Sequence, residues 1–252
     1  MKKVTVSAPA KIHLSGEHAV VYGNPAVLVS TSNRLYVSLS SDALVKFTPV
    51  SSFRKNDLYI NRIIEIFETN YDIRIDDALH IAIVSDIPVG AGMGSSAALA
   101  AALIGALMQY YQKGWNVQKI NDLAYQAEGF VHKNSSGSDP AVVTHGGLLW
   151  YRKELDYLKM FWLLSYKIPK NFPLIVLIHT KRTESTGDLV SLVAKKNTAN
   201  PKEFIQILWK FQLVTKNMVS AIHDENILLF TNSIRKNEML LEKLGVVSAS
   251  TI

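Results

Sequence analysis

The order of apolar and polar positions marks the first third of the chain as rich in strands. Val4-Thr5-Val6 and Leu35-Tyr36-Val37-Ser38-Leu39 alternate with the two-residue period of a pleated segment, and Ala26-Val27-Leu28-Val29 is a short apolar run of strand length. Residues 56–71 change to helical spacing, with Leu58, Ile60, Ile63, Ile64 and Phe67 on one face, and 79–84 alternate again as a strand. An alanine-rich segment, 95–111, is apolar nearly all round and is predicted to be a buried helix. A helix over 117–132, a polar turn over 134–140 and strands near 148–151 and 161–166 follow. Lys170-Asn171-Phe172-Pro173 is the best candidate boundary. Beyond it, 174–179 reads as a buried strand, and helices are expected over 185–196, 201–223 and 226–244, with Pro201 at a first helical position. Strands and helices segregate along the chain, which predicts an α+β fold of two domains, 1–170 and 171–252.

Composition narrows the chemistry. The chain has 252 residues and no cysteine, so disulfides, thiolate metal sites and a cysteine nucleophile are excluded. The net charge of +6 is scattered, which fits a solvated surface better than a nucleic-acid patch. Ser7, Pro9 and Lys11 interrupt the N-terminal segment, unlike a signal peptide. The most apolar stretch, 97–108, is shorter than the roughly 20 residues that span a bilayer. The expectation is a cytoplasmic protein without nucleic-acid or membrane partners.

Three segments carry candidate chemistry. Pro88-Val89-Gly90-Ala91-Gly92-Met93-Gly94-Ser95-Ser96-Ala97-Ala98 joins a strand to the buried helix. Alternate glycines allow positive φ and close backbone approach, Ser95 and Ser96 are candidate caps, and the free amides at the helix start favour an anion. No lysine follows the glycines as in a Walker A loop, and the spacing is not the dinucleotide fingerprint. A tight turn against a buried helix is the other reading. In the second segment, Glu128 lies near a helix end with His132 one turn on, and Asp139 follows in Asn134-Ser135-Ser136-Gly137-Ser138-Asp139-Pro140. Two carboxylates about a turn suit a phosphotransferase, which needs one on a metal and often one near the acceptor hydroxyl. A solvated helix Glu and a turn-starting Asp before Pro explain the same residues. In the third, Lys11, Glu17 and His18 stand within an otherwise core-like run from 8 to 23, where charged groups are costly unless paired or functional.

Together these segments resemble the galactokinase, homoserine kinase, mevalonate kinase and phosphomevalonate kinase superfamily. Ser15-Gly16-Glu17-His18-Ala19-Val20-Val21-Tyr22-Gly23 is similar to its mevalonate kinase branch, 92–98 to its nucleotide loop, and 128–147, with Ser136-Gly137-Ser138-Asp139, to the segment of the catalytic Asp. The resemblance implies an N-terminal domain like the second domain of ribosomal protein S5 and a ferredoxin-like C-terminal domain. It implies ATP and Mg²⁺, and transfer of the γ-phosphate to the 5-hydroxyl of mevalonate. It casts Asp139 as base and Lys11 as its neighbour, which lowers the hydroxyl pKa. Ser96 and Glu128 would hold Mg²⁺. Gly90, Ala91, Gly92, Met93, Gly94, Ser95 and Ser96 would wrap the phosphates, with Ser85 beside the nucleotide. Glu17, His18, Ser136 and Thr186 would face the substrate. A homodimer is compatible with the resemblance.

Three departures stand out. Lys133-Asn134-Ser135 replaces Gly-Asn-Pro, and Ser138 stands where Ile or Val is usual. The likeness also runs on through Asn237 to Val247, and the sequence ends at Ile252, ahead of the family's third glycine-rich motif. The expectation drawn is an incomplete C-terminal domain, reduced or absent activity of this chain alone and a tendency to associate. Two alternatives to a mevalonate kinase remain: another small-molecule kinase of the superfamily, for phosphomevalonate or a related acid, and a nucleotide- or metabolite-binding homologue without catalysis.

Overall fold

The computed structural model describes residues 2–41, 58–88, 90–131, 135–165, 168–172, 174–178 and 186–247. Five strands and seven α-helices are formed among them: β1 (Lys3–Ser15), β2 (Pro25–Ser40), α1 (Leu58–Tyr71), β3 (His80–Ser85), α2 (Ser95–Tyr110), α3 (Val117–Val131), α4 (Ser138–His145), β4 (Leu148–Lys153), β5 (Lys159–Leu164), α5 (Thr186–Ala199), α6 (Pro201–His223) and α7 (Ile227–Leu244). A 3-10 helix, Ala19–Tyr22, lies between β1 and β2. The α+β expectation holds. Backbone proximity groups the chain into two units, Met1–Ile12 with Ser30–Gly146, and His13–Val29 with Gly147–Ile252.

In the first unit, β1 lies beside β2, and the later half of β2 pairs antiparallel with β3 from Leu35 opposite Ser85 to Ser40 opposite His80. The two strands expected around 26–29 and 35–39 are parts of one continuous strand, β2. α2 is buried at every position from Ala97 to Met108, as its all-round apolar pattern predicts, and α1, α3 and α4 pack around it. α1 buries Ile60, Ile63, Ile66 and Phe67, while Leu58, expected on that face, is exposed. The polar turn expected over 134–140 becomes a helix from Ser138 onward. Pro140 falls in its first turn, where backbone N–H groups have no partner within the helix, so proline forfeits nothing there.

In the second unit, the early half of β2 pairs antiparallel with β4, and β4 with β5. α6 buries Phe204, Ile207, Phe211, Val214, Met218 and Ala221, a repeat alternating three and four residues. That repeat gives a straight seam suited to an antiparallel partner. α7 supplies it with Leu240, Leu241 and Leu244 at one end, while Phe230 packs with Met218 and Ile222 at the other. Asn200 caps α6 by accepting from the Glu203 amide at 3.3 Å, with Pro201 in the first turn, and Asn226 caps α7 at the Leu229 amide. The strand expected over 174–179 is corrected: 174–178 have no regular structure, and Leu174 is 89% exposed. The apolar run matches a buried strand in composition, but no strand among the described residues pairs with it; residue 179 lies outside them.

Candidate active site

The glycine loop is built from β3 outward. At the strand end, Ser85 Oγ accepts from the Ile87 amide at 3.1 Å and closes a tight turn. Gly90, Gly92 and Gly94 all take positive φ, 76°, 72° and 73°; Val89 lies outside the described residues. Gly94 occupies the N-cap position of α2 in the left-handed region, and no side chain caps the helix. This corrects the expected serine cap. A left-handed glycine turn leads directly into the helix, so Ser95 and Ser96 are its first two residues and lie past the capping position. The amides at the start of α2 are left without a capping side chain, beside a backbone free of bulk, which is the arrangement that binds phosphate.

Lys11 crosses this loop. Its amide donates to the Met93 carbonyl at 3.0 Å, which ties β1 to the loop. A Cβ on Gly94 would lie 2.8 Å from Lys11 Cγ, so the absent side chain is what lets the lysine stem pass. Lys11 is buried, and its Nζ reaches Asp139 Oδ2 at 2.9 Å. Asp139 stands in the first turn of α4, where the helix dipole favours a carboxylate. Ser136 Oγ accepts from the Ser138 amide at 3.2 Å and shapes the turn that delivers Asp139.

Glu128 is not on a solvated helix face. It is buried on α3, where the Ser135 hydroxyl donates to it. Burial and the charge of Asp139 push its carboxyl up to about 8, with the Ser135 hydrogen bond and Lys11 pulling the other way. Tyr59, on α1, donates its hydroxyl to the Ser96 carbonyl at 3.3 Å. Burial, then the Glu128 charge, pushes its phenol far up, so it stays a donor. Tyr59 was missed in the sequence because it reads as one more ring on a half-apolar helix. His132 lies outside the described residues.

In the second unit, Glu17 and His18 form the turn between β1 and the 3-10 helix, both half-buried, and His18 takes a positive φ of 63°. Thr186 opens α5, its side chain outside the description. Lys11, Ser85, Glu128, Ser136, Asp139 and the glycine loop therefore belong to the first unit, and Glu17, His18 and Thr186 to the second.

No group of three or more His, Cys, Asp or Glu among the described residues forms a metal cluster. The donors available are two carboxylates and serine hydroxyls, all hard oxygen. Burial first, and the Asp139 carboxylate second, disfavour the Glu128 anion. Carboxylate and hydroxyl oxygens of this kind suit a Mg²⁺ ion.

The family model for the GHMP kinases N terminal domain matches residues 58–147, the stretch that holds the glycine loop, Glu128 and Asp139. The mevalonate kinase of Pyrococcus horikoshii is 32% identical over 98% of this chain and 79% of its own length. That of Thermococcus sibiricus is 31% identical over 98% and 80%. The chain belongs to the mevalonate kinase family. Solved structures share the fold of this mevalonate kinase family member. L. major mevalonate kinase in complex with R-mevalonate superposes with a TM-score of 0.77 at 19% identity, over 98% of this chain and 77% of that one. The Methanococcus jannaschii mevalonate kinase gives 0.77 at 22%, over 98% and 81%.

Proposed function

We propose that the protein phosphorylates mevalonate with ATP, giving 5-phosphomevalonate and ADP, in isoprenoid biosynthesis. Membership of the mevalonate kinase family supports the reaction. The observation that carries the residue roles is the 2.9 Å pair of Lys11 and Asp139 at the mouth of the uncapped, glycine-rich start of α2.

Asp139 accepts the proton of the substrate 5-hydroxyl as its oxygen bonds to the γ-phosphorus and the bond to ADP breaks. Lys11, paired with Asp139 at 2.9 Å, lowers the pKa of the substrate hydroxyl and offsets the charge that develops on the attacking oxygen. Gly90 to Ser96 hold the phosphates through backbone amides, and Ser85 sets the turn that aims this loop. Glu128 and Ser96 would hold Mg²⁺, which when bound neutralises phosphate charge. Glu17, His18, Ser136 and Thr186 orient the acceptor.

The same reading makes the protein cytoplasmic, without nucleic-acid or membrane partners and compatible with a homodimer. No helix among the described residues is long and apolar enough to cross a membrane.

A coupled ADP-release assay tests the proposal. Mevalonate should support turnover and phosphomevalonate should not. Asp139→Asn should lower kcat by about 10²–10⁴-fold with little change in KM for mevalonate, the range set by loss of a general base. Preference for phosphomevalonate would refute the substrate, and turnover surviving Asp139→Asn would refute the base.

A further inference from the structure

The turn that carries Glu17 and His18 has a geometry its own backbone does not favour. Gly16 takes φ 88°, and a Cβ there would lie 2.4 Å from the Pro25 carbonyl oxygen. His18, a residue with a side chain, also takes positive φ. Such a turn persists only where its surroundings hold it.

The holding group comes from α7, in the same unit. Asn237 Oδ1 accepts from the Ser15 hydroxyl at 2.9 Å and from the Gly16 amide at 3.4 Å, and its Nδ2 donates to Glu17 Oε2 at 3.3 Å. The orientation of this amide is decided by chemistry. A backbone N–H can only donate, so the carbonyl end must face Gly16 and the NH₂ end must face Glu17. Ser15 Oγ also lies 2.8 Å from Thr215 Oγ1, whose own hydroxyl is anchored on the Phe211 carbonyl at 2.8 Å. A polar cluster therefore links Thr215 on α6, Ser15 and Asn237 to Glu17. Ser15 and Thr215 are fully buried, and Asn237 is 5% exposed on the helix face that also buries Phe230, Leu240 and Leu244. Leucine would serve that seam better for packing alone. A buried, fully connected polar network there fixes one arrangement of what it touches.

We infer that Asn237 is a positioning residue for mevalonate binding, acting through Glu17; this rests on the reading of Glu17 as a substrate-facing group. Asn237→Asp separates that role from a structural one. It keeps an acceptor for Ser15 and Gly16 and replaces the donor to Glu17 with a carboxylate oxygen.

The experiment measures kcat, KM for mevalonate and KM for ATP in the full chain, with thermal midpoints. Asn237→Asp should raise KM for mevalonate about tenfold, the loss of one hydrogen bond to a charged group, and leave KM for ATP within about twofold. Added to Glu17→Gln, it should raise KM no further. An unchanged KM for mevalonate in a folded Asn237→Asp protein, or full additivity with Glu17→Gln, overturns the inference. If Asn237→Asp does not fold, Ser15→Ala carries the test, with an expected rise of about threefold in the same constant; no rise overturns it. Wild-type protein inactive with mevalonate overturns the functional reading, and this inference with it. Active wild type with an unchanged KM in the variant overturns this inference alone.

Discussion

Glu128→Gln should stabilise the ligand-free protein while removing its activity, and the gain should grow with pH. The carboxyl titrates near 4.5 when exposed and at about 8 in the folded protein, because burial and Asp139 oppose its charge. A carboxyl raised on folding binds a proton more tightly in the native state. Its stability cost is therefore absent well below pH 4.5, increases up to about pH 8 and is constant above. At pH 7 that cost is about 3 kcal/mol, and at pH 5 roughly 1 kcal/mol. Glutamine does not titrate, and its carbonyl can still accept from Ser135. Burying its imperfectly paired amide costs about 1 kcal/mol. The variant should thus gain about 2 kcal/mol at pH 7 and almost nothing at pH 5. For a chain of this size the pH 7 gain corresponds to a rise of about 4–8 °C in Tm. Thermal and urea unfolding of both proteins from pH 5 to 8, in metal-free buffer, measures the difference directly. A gain that stays flat across that range, or a variant less stable at pH 8 than at pH 5 relative to wild type, would refute the electrostatic reasoning.

Two further expectations follow from the same cluster. Mg²⁺ with nucleotide must ionise Glu128 if that residue is a ligand, so binding at pH 7 should release close to one proton. Calorimetry in buffers of different ionisation enthalpy reads that number, and Glu128→Gln should abolish the release. Gly94→Ala should lower stability by about 1–2 kcal/mol and kcat more than tenfold, since φ is 73° and its Cβ would press on Lys11. Gly90→Ala, with nearly the same φ and nothing within 4 Å of its Cβ, isolates backbone strain. Equal losses of kcat in the two variants would remove Lys11 from the explanation.

What was legible in the sequence was local. Periodicity marks α2, α6 and α7 because each carries one uninterrupted apolar pattern, and Pro201 places the start of α6 correctly. Lys11 stands out as a charge in a core-like run and the glycine loop by its alternate glycines, while Asp139, an ordinary turn residue before Pro140, is singled out by the family resemblance. Errors arise where a local pattern has two outcomes that only tertiary structure separates. Ser95 and Ser96 are good caps by type, but the left-handed Gly94 takes the capping position. Residues 174–178 have the composition of a buried strand but, apart from the half-buried Ile175, remain exposed, because strand character is completed by a neighbour. Glu128 reads as a solvated helix residue because the groups it interacts with electrostatically in the fold, Tyr59, 69 positions earlier, Lys11 and Asp139, are brought near it only by tertiary structure.

Tyr59 and Asn237 were not legible at all, for a related reason. Each sits on a helix whose pattern is satisfied without it, and each has its polar end directed at a segment far away in sequence, Ser96 and Glu17. Glu17, in turn, pushes up the carboxyl of Glu238, next to Asn237, after burial has begun the shift. The middle of α7 therefore meets Glu17 through both a hydrogen bond and a like-charge neighbour. A helix selected for packing alone would carry neither. The second unit is thus more than a support for its own core: the buried seam of α6 and α7 is where the Glu17 turn acquires its fixed shape.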